Sequence, residues 1–185
     1  MLFTYFIKGT FGKVWQAIRV DTGDSLAIKE IEIHSDAQGD DEIEAIEDEI
    51  NANEEFHHPH IVLFHGYQQP TPTQIQLVFE FCESNLLKES KNGLEPWLIT
   101  NYTSQLLDAV AFMHQKSWIH RDIKPSNVFL KSTGTKCQVK LGDFGSAWQI
   151  ALEPAIATTR GAPARGSKGK SQLSVKILLK VQWSL

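Results

Sequence analysis

The chain has 185 residues, 42% hydrophobic and 22% charged, with a formal net charge of −4. That composition belongs to a globular protein and excludes a disordered or collagen-like chain. The acidic balance argues against nucleic acid or an anionic membrane surface as a partner, since both call for basic surface. Two cysteines, Cys82 and Cys137, make no disulfide framework, as in a reducing compartment. Met1 to Ile7 is apolar but has no basic start and is interrupted by Lys8, unlike a secretory leader. No run reaches the ~18 apolar residues of a membrane span. A soluble, cytoplasmic protein is expected, with no membrane and no nucleic-acid partner.

Phe3 to Ile7 and Val14 to Val20 cluster β-branched and aromatic residues around Gly9-Thr10-Phe11-Gly12, which predicts two strands joined by a glycine turn. Asp21-Thr22-Gly23-Asp24 is a turn signal, and Ser25 to Ile31 reads as a third strand. From Asp40 to Phe56 acidic residues alternate with Ile43, Ile46 and Ile50 at helical spacing, an acidic helix with one apolar stripe that His58-Pro59 ends. Ile61 to Tyr67 and Ile75 to Cys82 read as two more strands, separated by a proline-containing loop from Gln68 to Thr73. Ser90-Lys91-Asn92-Gly93 marks a turn. Trp97 to Gln115 then carries Leu98, Tyr102, Leu106, Val110 and Met113 near one face of a long helix. Val128 to Leu130 and Val139 to Leu141 are short strands around the turn Ser132-Thr133-Gly134. Ala155 to Lys170 is small and basic without apolar period, which predicts a mobile loop. The five tryptophans are expected in the core. The fold class is α+β.

The densest chemistry lies in His120-Arg121-Asp122-Ile123-Lys124-Pro125-Ser126-Asn127, followed downstream by Asp143-Phe144-Gly145. Taken singly, an aspartate or an asparagine here would be an ordinary turn former, and Lys29 an exposed strand lysine. In sequence, a glycine turn, a strand lysine, an acidic helix, this loop and an Asp-Phe-Gly turn form an ordered set. The chain resembles a eukaryotic protein kinase domain of the serine/threonine type from about Phe6 to Ala164. Val20-Asp21-Thr22-Gly23 leading to Ala27-Ile28-Lys29-Glu30-Ile31, with Leu141-Gly142-Asp143-Phe144-Gly145-Ser146-Ala147, looks most like the MAP kinase kinase kinases. A P-loop is set aside, because Gly9-Thr10-Phe11-Gly12-Lys13 is too short between glycines and Val14 stands where a metal-binding hydroxyl belongs.

The resemblance implies a two-lobe protein-kinase-like fold: a five-stranded antiparallel lobe with one helix and a hinge over residues 1–82, then part of a helical lobe over 83–164. It implies ATP and Mg2+ as cofactors, transfer of the γ-phosphate to a protein hydroxyl, and a protein substrate such as a MAP kinase kinase. Gly9, Thr10, Phe11 and Gly12 would fold over the phosphates, with backbone N–H groups close to them. Val14, Ala27 and Phe129 would pack against the adenine. Lys29 would reach the α and β phosphates, held by Glu49, the acid that the spacing to His58-Pro59 selects, with Glu47 as the alternative on the same acid-rich helix. Asp122 would orient the substrate hydroxyl, and Lys124 would neutralise the γ-phosphate. Asn127 and Asp143 would offer magnesium the hard oxygens it prefers. Phe79 would stand at the back of the pocket, with Glu80 and Cys82 presenting backbone groups to the adenine edge. His120 would pack under the Asp-Phe-Gly turn without carrying a proton. His57, His58 and His60 lack the neighbouring cysteine that would favour zinc, and sit at a helix-ending turn the family shares.

Three positions depart from the family's pattern. Ile7 replaces the first glycine of the phosphate loop, a poor residue there if φ must be positive. Asn53 stands one turn after Glu49, where an apolar residue usually links the helix to Phe144. Thr158-Thr159-Arg160-Gly161-Ala162-Pro163-Ala164 is followed by Arg165-Gly166-Ser167-Lys168, with no Ala-Pro-Glu. The expectation is a truncated or mis-spliced product whose residues 165–185 are not kinase sequence. Two readings stay open: an ATP-dependent serine/threonine kinase, or a weak fragment that binds nucleotide or a protein.

Overall fold

The computed structural model describes residues 2–9, 12–33, 39–134 and 137–150, which lie within one compact unit. The expected loop over 155–170, the tail over 165–185, Thr158, Thr159, Thr10 and Phe11 lie outside the described residues.

Five strands form one antiparallel sheet: β1 (Leu2–Gly9), β2 (Gly12–Ile18), β3 (Ser25–Glu32), β4 (Phe64–Thr71) and β5 (Gln74–Glu80), in the order β1-β2-β3-β5-β4. The helix α1 (Gly39–Glu55) is inserted between β3 and β4. Alternation decides which way β3 faces. Leu26 and Ile28 are buried with Ala17 and Val78, so Lys29 turns to the opposite face of the strand. Ile7 is not at a turn. It lies inside β1 opposite Val14.

The boundaries of β4 differ from the expected ones. Ile61 makes an isolated parallel bridge to Leu141 instead of starting the strand, and the strand runs on to Thr71. The proline in the expected loop, Pro70, sits within β4 because β4 is an edge strand, where a missing N–H costs no ladder bond.

Beyond β5 follow β6 (Ser84–Asn85), the short helix α2 (Leu86–Glu89), a 3-10 turn over Ser90–Asn92, and the long helix α3 (Pro96–Gln115). Asn85 caps α2 by accepting from the Lys88 N–H, a local signal read only as part of a turn region. The strands β7 (Trp118–Ile119), β8 (Val128–Ser132), β9 (Cys137–Leu141) and β10 (Trp148–Gln149) complete the described chain. β8 and β9 form the expected hairpin, and β7 pairs with β10. Two-residue strands such as β6, β7 and β10 carry no periodicity to find.

The second core gathers Ala52 from α1, Phe56 just beyond its end, Ile61, Tyr102, Ala109 and Met113 from α3, Trp118, the β8–β9 residues Val128, Leu130, Val139 and Leu141, and Phe144. Leu98, Leu106 and Val110 pack against it, as the stripe of α3 implied. The tryptophans are not all core: Trp118 is buried, but Trp97 is 67% and Trp148 50% exposed. Trp97 stands in the first turn of α3, next to Leu98 of that stripe but about 100° round the helix from it.

Candidate active site

Lys29 on β3 and Glu49 on α1 form a two-pronged ion pair, Nζ lying 2.7 Å from Oε1 and 2.9 Å from Oε2. Glu49 is buried because the Ile46 and Ile50 stripe that seats α1 carries it inward; Glu47, on the adjoining face, does not make this contact. The Asp143 carboxylate lies 3.6 Å from the same lysine nitrogen. A lysine is thus held between two acids from distant parts of the chain. Gly145 closes the other side. A Cβ there would come within 3.2 Å of Glu49 Oε2, so the backbone passes close only because no side chain intervenes.

The loop after β7 is organised by His120. Its Nδ1 accepts the Asp122 N–H and its Nε2 lies 3.1 Å from the Gly142 carbonyl, which fixes the neutral tautomer with the proton on Nε2. Burial holds the imidazole below its usual value near 6.5, keeping it in that form. Its ring packs on Phe144, which in turn meets Phe56, the residue after α1, at 4.9 Å between centroids. His120 therefore ties the loop to the Asp-Phe-Gly turn as a structural group. Gly142 has no room for a side chain, since a Cβ would lie 2.8 Å from Val62 and 3.1 Å from Phe129.

Asp122 Oδ2 accepts from Lys124 Nζ at 2.7 Å and from Asn127 Nδ2 at 3.0 Å. The lysine hydrogen bond is the main reason this carboxylate titrates below the ordinary aspartate range. Asn127 also donates from Nδ2 to the Asp122 carbonyl, while the Asn127 carbonyl accepts the Gly142 N–H at 3.0 Å. That last bond brings the two expected metal ligands, Asn127 and Asp143, to adjoining backbone. Arg121 and Asp143 have φ of 64° and 66°, the left-handed region that non-glycine residues enter at a cost of roughly 1–2 kcal/mol. The Arg121 Nε bond to the Ser146 carbonyl, 2.7 Å, helps hold that conformation.

Gly9 and Gly12 face each other across the β1–β2 register, with Val14 opposite Lys29 and Ala27 opposite Phe79. Phe79 packs against Phe64 of β4 with the rings tilted, 5.3 Å between centroids. Phe129, on β8, is half-buried beside Gly142. The Glu80 N–H donates to the Leu63 carbonyl at 2.9 Å. Burial, then the Glu80 charge, pushes the Cys82 thiol up to about 12, which leaves it a half-buried thiol with no thiolate chemistry near neutrality.

The histidines near the end of α1 point to separate tasks. His58 lies 3.4 Å from Asp108 and stacks on Phe112, and His60 Nδ1 lies 3.2 Å from the Val139 carbonyl. The residues that sequence reasoning passed over are Lys131 and Lys140. Both Nζ groups bind the Glu80 carboxylate. A charged residue between Val139 and Leu141 in an apolar strand was the available signal.

A family profile described as "Protein kinase domain" matches residues 8–164. The chain is 35% identical over 142 residues to "Serine/threonine-protein kinase SSK22" of Saccharomyces cerevisiae, covering 75% of this chain and 10% of that protein. It is 36% identical over 144 residues to "Mitogen-activated protein kinase kinase kinase 4" of Mus musculus, covering 77% of this chain and 9% of that protein. With "Mitogen-activated protein kinase kinase kinase 3" of Arabidopsis thaliana it shares 32% identity over 161 residues, 84% of this chain and 26% of the other. The chain thus spans only a small part of the length of these relatives.

Proposed function

This chain belongs to the protein kinase family, and from that premise we propose that it binds magnesium ATP and transfers the γ-phosphate to a serine or threonine hydroxyl of a protein. By family it is a serine/threonine kinase. The observation that carries the proposal is the lysine held between Glu49 and Asp143, beside an aspartate whose carboxylate is already bound by Lys124 and Asn127. Such a lysine offers a fixed positive charge to phosphate oxygens, and the acid behind it prevents the side chain from wandering.

In the proposed reaction the hydroxyl oxygen bonds to the γ-phosphorus as the bond from that phosphorus to the β–γ bridging oxygen breaks. ADP leaves, and the hydroxyl proton passes to Asp122. Lys124, within hydrogen-bond distance of Asp122, lies where it can follow the charge of the moving phosphoryl group. The donor set fits magnesium, since Asp143 supplies a carboxylate and Asn127, whose Nδ2 is spent on Asp122, supplies an amide oxygen. Asn127 and Asp143 would hold the ion, whose chemistry there would be to offset the negative charge of the phosphates. The relatives' names support a place in a MAP kinase cascade with a MAP kinase kinase as substrate. Two free, half-buried cysteines support a cytoplasmic setting.

A radiolabelled phosphotransfer assay tests the proposal. Asp122→Asn should lower incorporation by about 10²- to 10⁴-fold. Equal incorporation by the two proteins would remove the enzymatic reading, and nucleotide binding without transfer by the unmodified chain would favour a binding module.

A further inference from the structure

Glu80 is an acid in the last position of β5, and its side chain is only 7% exposed. Its Oε1 accepts the Leu63 N–H at 2.8 Å and lies 2.8 Å from Lys140 Nζ; its Oε2 is bound by Lys131 Nζ. These hydrogen bonds outweigh desolvation and hold the carboxyl below the ordinary glutamate range. One carboxylate therefore joins β5, the segment before β4, β8 and β9. The surrounding backbone repeats the same connection. Val62 N–H donates to Leu141, Ser84 pairs with Leu130, and Ser132 N–H donates to Glu83 Oε2.

The position of this cluster gives it a geometric consequence. On one side of Glu80 begins the backbone proposed to face adenine. The β8–β9 hairpin that Lys131 and Lys140 belong to begins immediately after Asn127 and ends two residues before Asp143. We propose that the Glu80 side chain is a positioning residue for the nucleotide, fixing the separation between the adenine-facing backbone and the phosphate-facing pair Asn127 and Asp143. The inference rests on the nucleotide-site reading above. A ligand that spans both half-sites gains from their fixed spacing, whereas a ligand occupying only one does not.

That difference supplies the test. Affinities of the full chain for magnesium ATP, adenosine and magnesium tripolyphosphate are measured by ligand-observed NMR for the unmodified protein and for Glu80→Gln, corrected for folded fraction by circular dichroism. Magnesium ATP should bind about tenfold more weakly to the variant, with the two half-ligands unchanged. Unchanged ATP affinity, or equal weakening of all three ligands, overturns the inference while leaving the nucleotide site standing. Failure of the unmodified chain to bind any of the three overturns the site reading and the inference with it. Should Glu80→Gln not fold, Lys131→Met on the more exposed arm carries the same expectation, and an ATP affinity equal to that of the unmodified chain overturns it.

Discussion

Asn53 shows how one side chain can be anchored and still cost stability. It is 2% exposed, its Nδ2 donates to the Glu49 carbonyl at 2.8 Å, and its Oδ1 is buried without a hydrogen-bond partner. An unsatisfied buried acceptor costs about 1–3 kcal/mol, more than one neutral hydrogen bond returns. Asn53→Leu is therefore expected to stabilise the fold by roughly 1 kcal/mol, read as a higher urea midpoint at unchanged slope. A lower midpoint would mean that the bond to Glu49 outweighs the orphan oxygen. At the same scale the choice between Glu49 and Glu47 became definite, because only Glu49 shares the buried face with Ile46 and Ile50.

At the scale of elements, the residue that follows α1 meets the Asp-Phe-Gly turn through aromatic contact. Phe56 is fully buried and packs edge-on against Phe144, Trp118 and Phe112. Phe56→Ala should cost about 3–5 kcal/mol, measured by denaturant unfolding; a cost under 1 kcal/mol would show that the surrounding rings collapse into the space. The sheet sets a second constraint. Phe79 lies between Ala27 of β3 and Phe64 of β4, and in the proposed adenine pocket it would stand at the rear. A ligand with a bulky group aimed past it should bind poorly and gain affinity in Phe79→Ala, measured by calorimetry. Tight binding to the unmodified chain would refute that role.

For the whole molecule, three histidines have a common effect on pH dependence. Burial is the leading cause that lowers His58, His65 and His120 from a usual value of 6.5. With folded values depressed, the unfolded chain binds more protons below about 6.5, so the stability from keeping these rings neutral is full above that pH and is lost as pH falls through the lower folded values. The urea midpoint should fall between pH 7.5 and 5.5, and His120→Asn should reduce the slope of that fall. A flat profile would show that other groups compensate.

The sequence by itself determined the ordered chemistry and most of the elements: strands alternate, α1 and α3 carry apolar stripes, and the spacing from His120 to Asn127 is local. It also placed Asp122, Lys124 and Asn127 together, because five residues cannot separate far in a tight loop. Tertiary structure alone decided that Pro70 is tolerated on an edge strand and that Trp97 and Trp148 face outward, and it made the choice of Glu49 over Glu47 definite. It also decided that Glu80, Lys131 and Lys140 share one buried cluster. Those facts depend on contacts between residues 20 to 60 positions apart. A carboxylate 51 positions from its lysine in Glu80–Lys131 leaves no periodic trace, since periodicity records which face a residue takes and not what lies across from it.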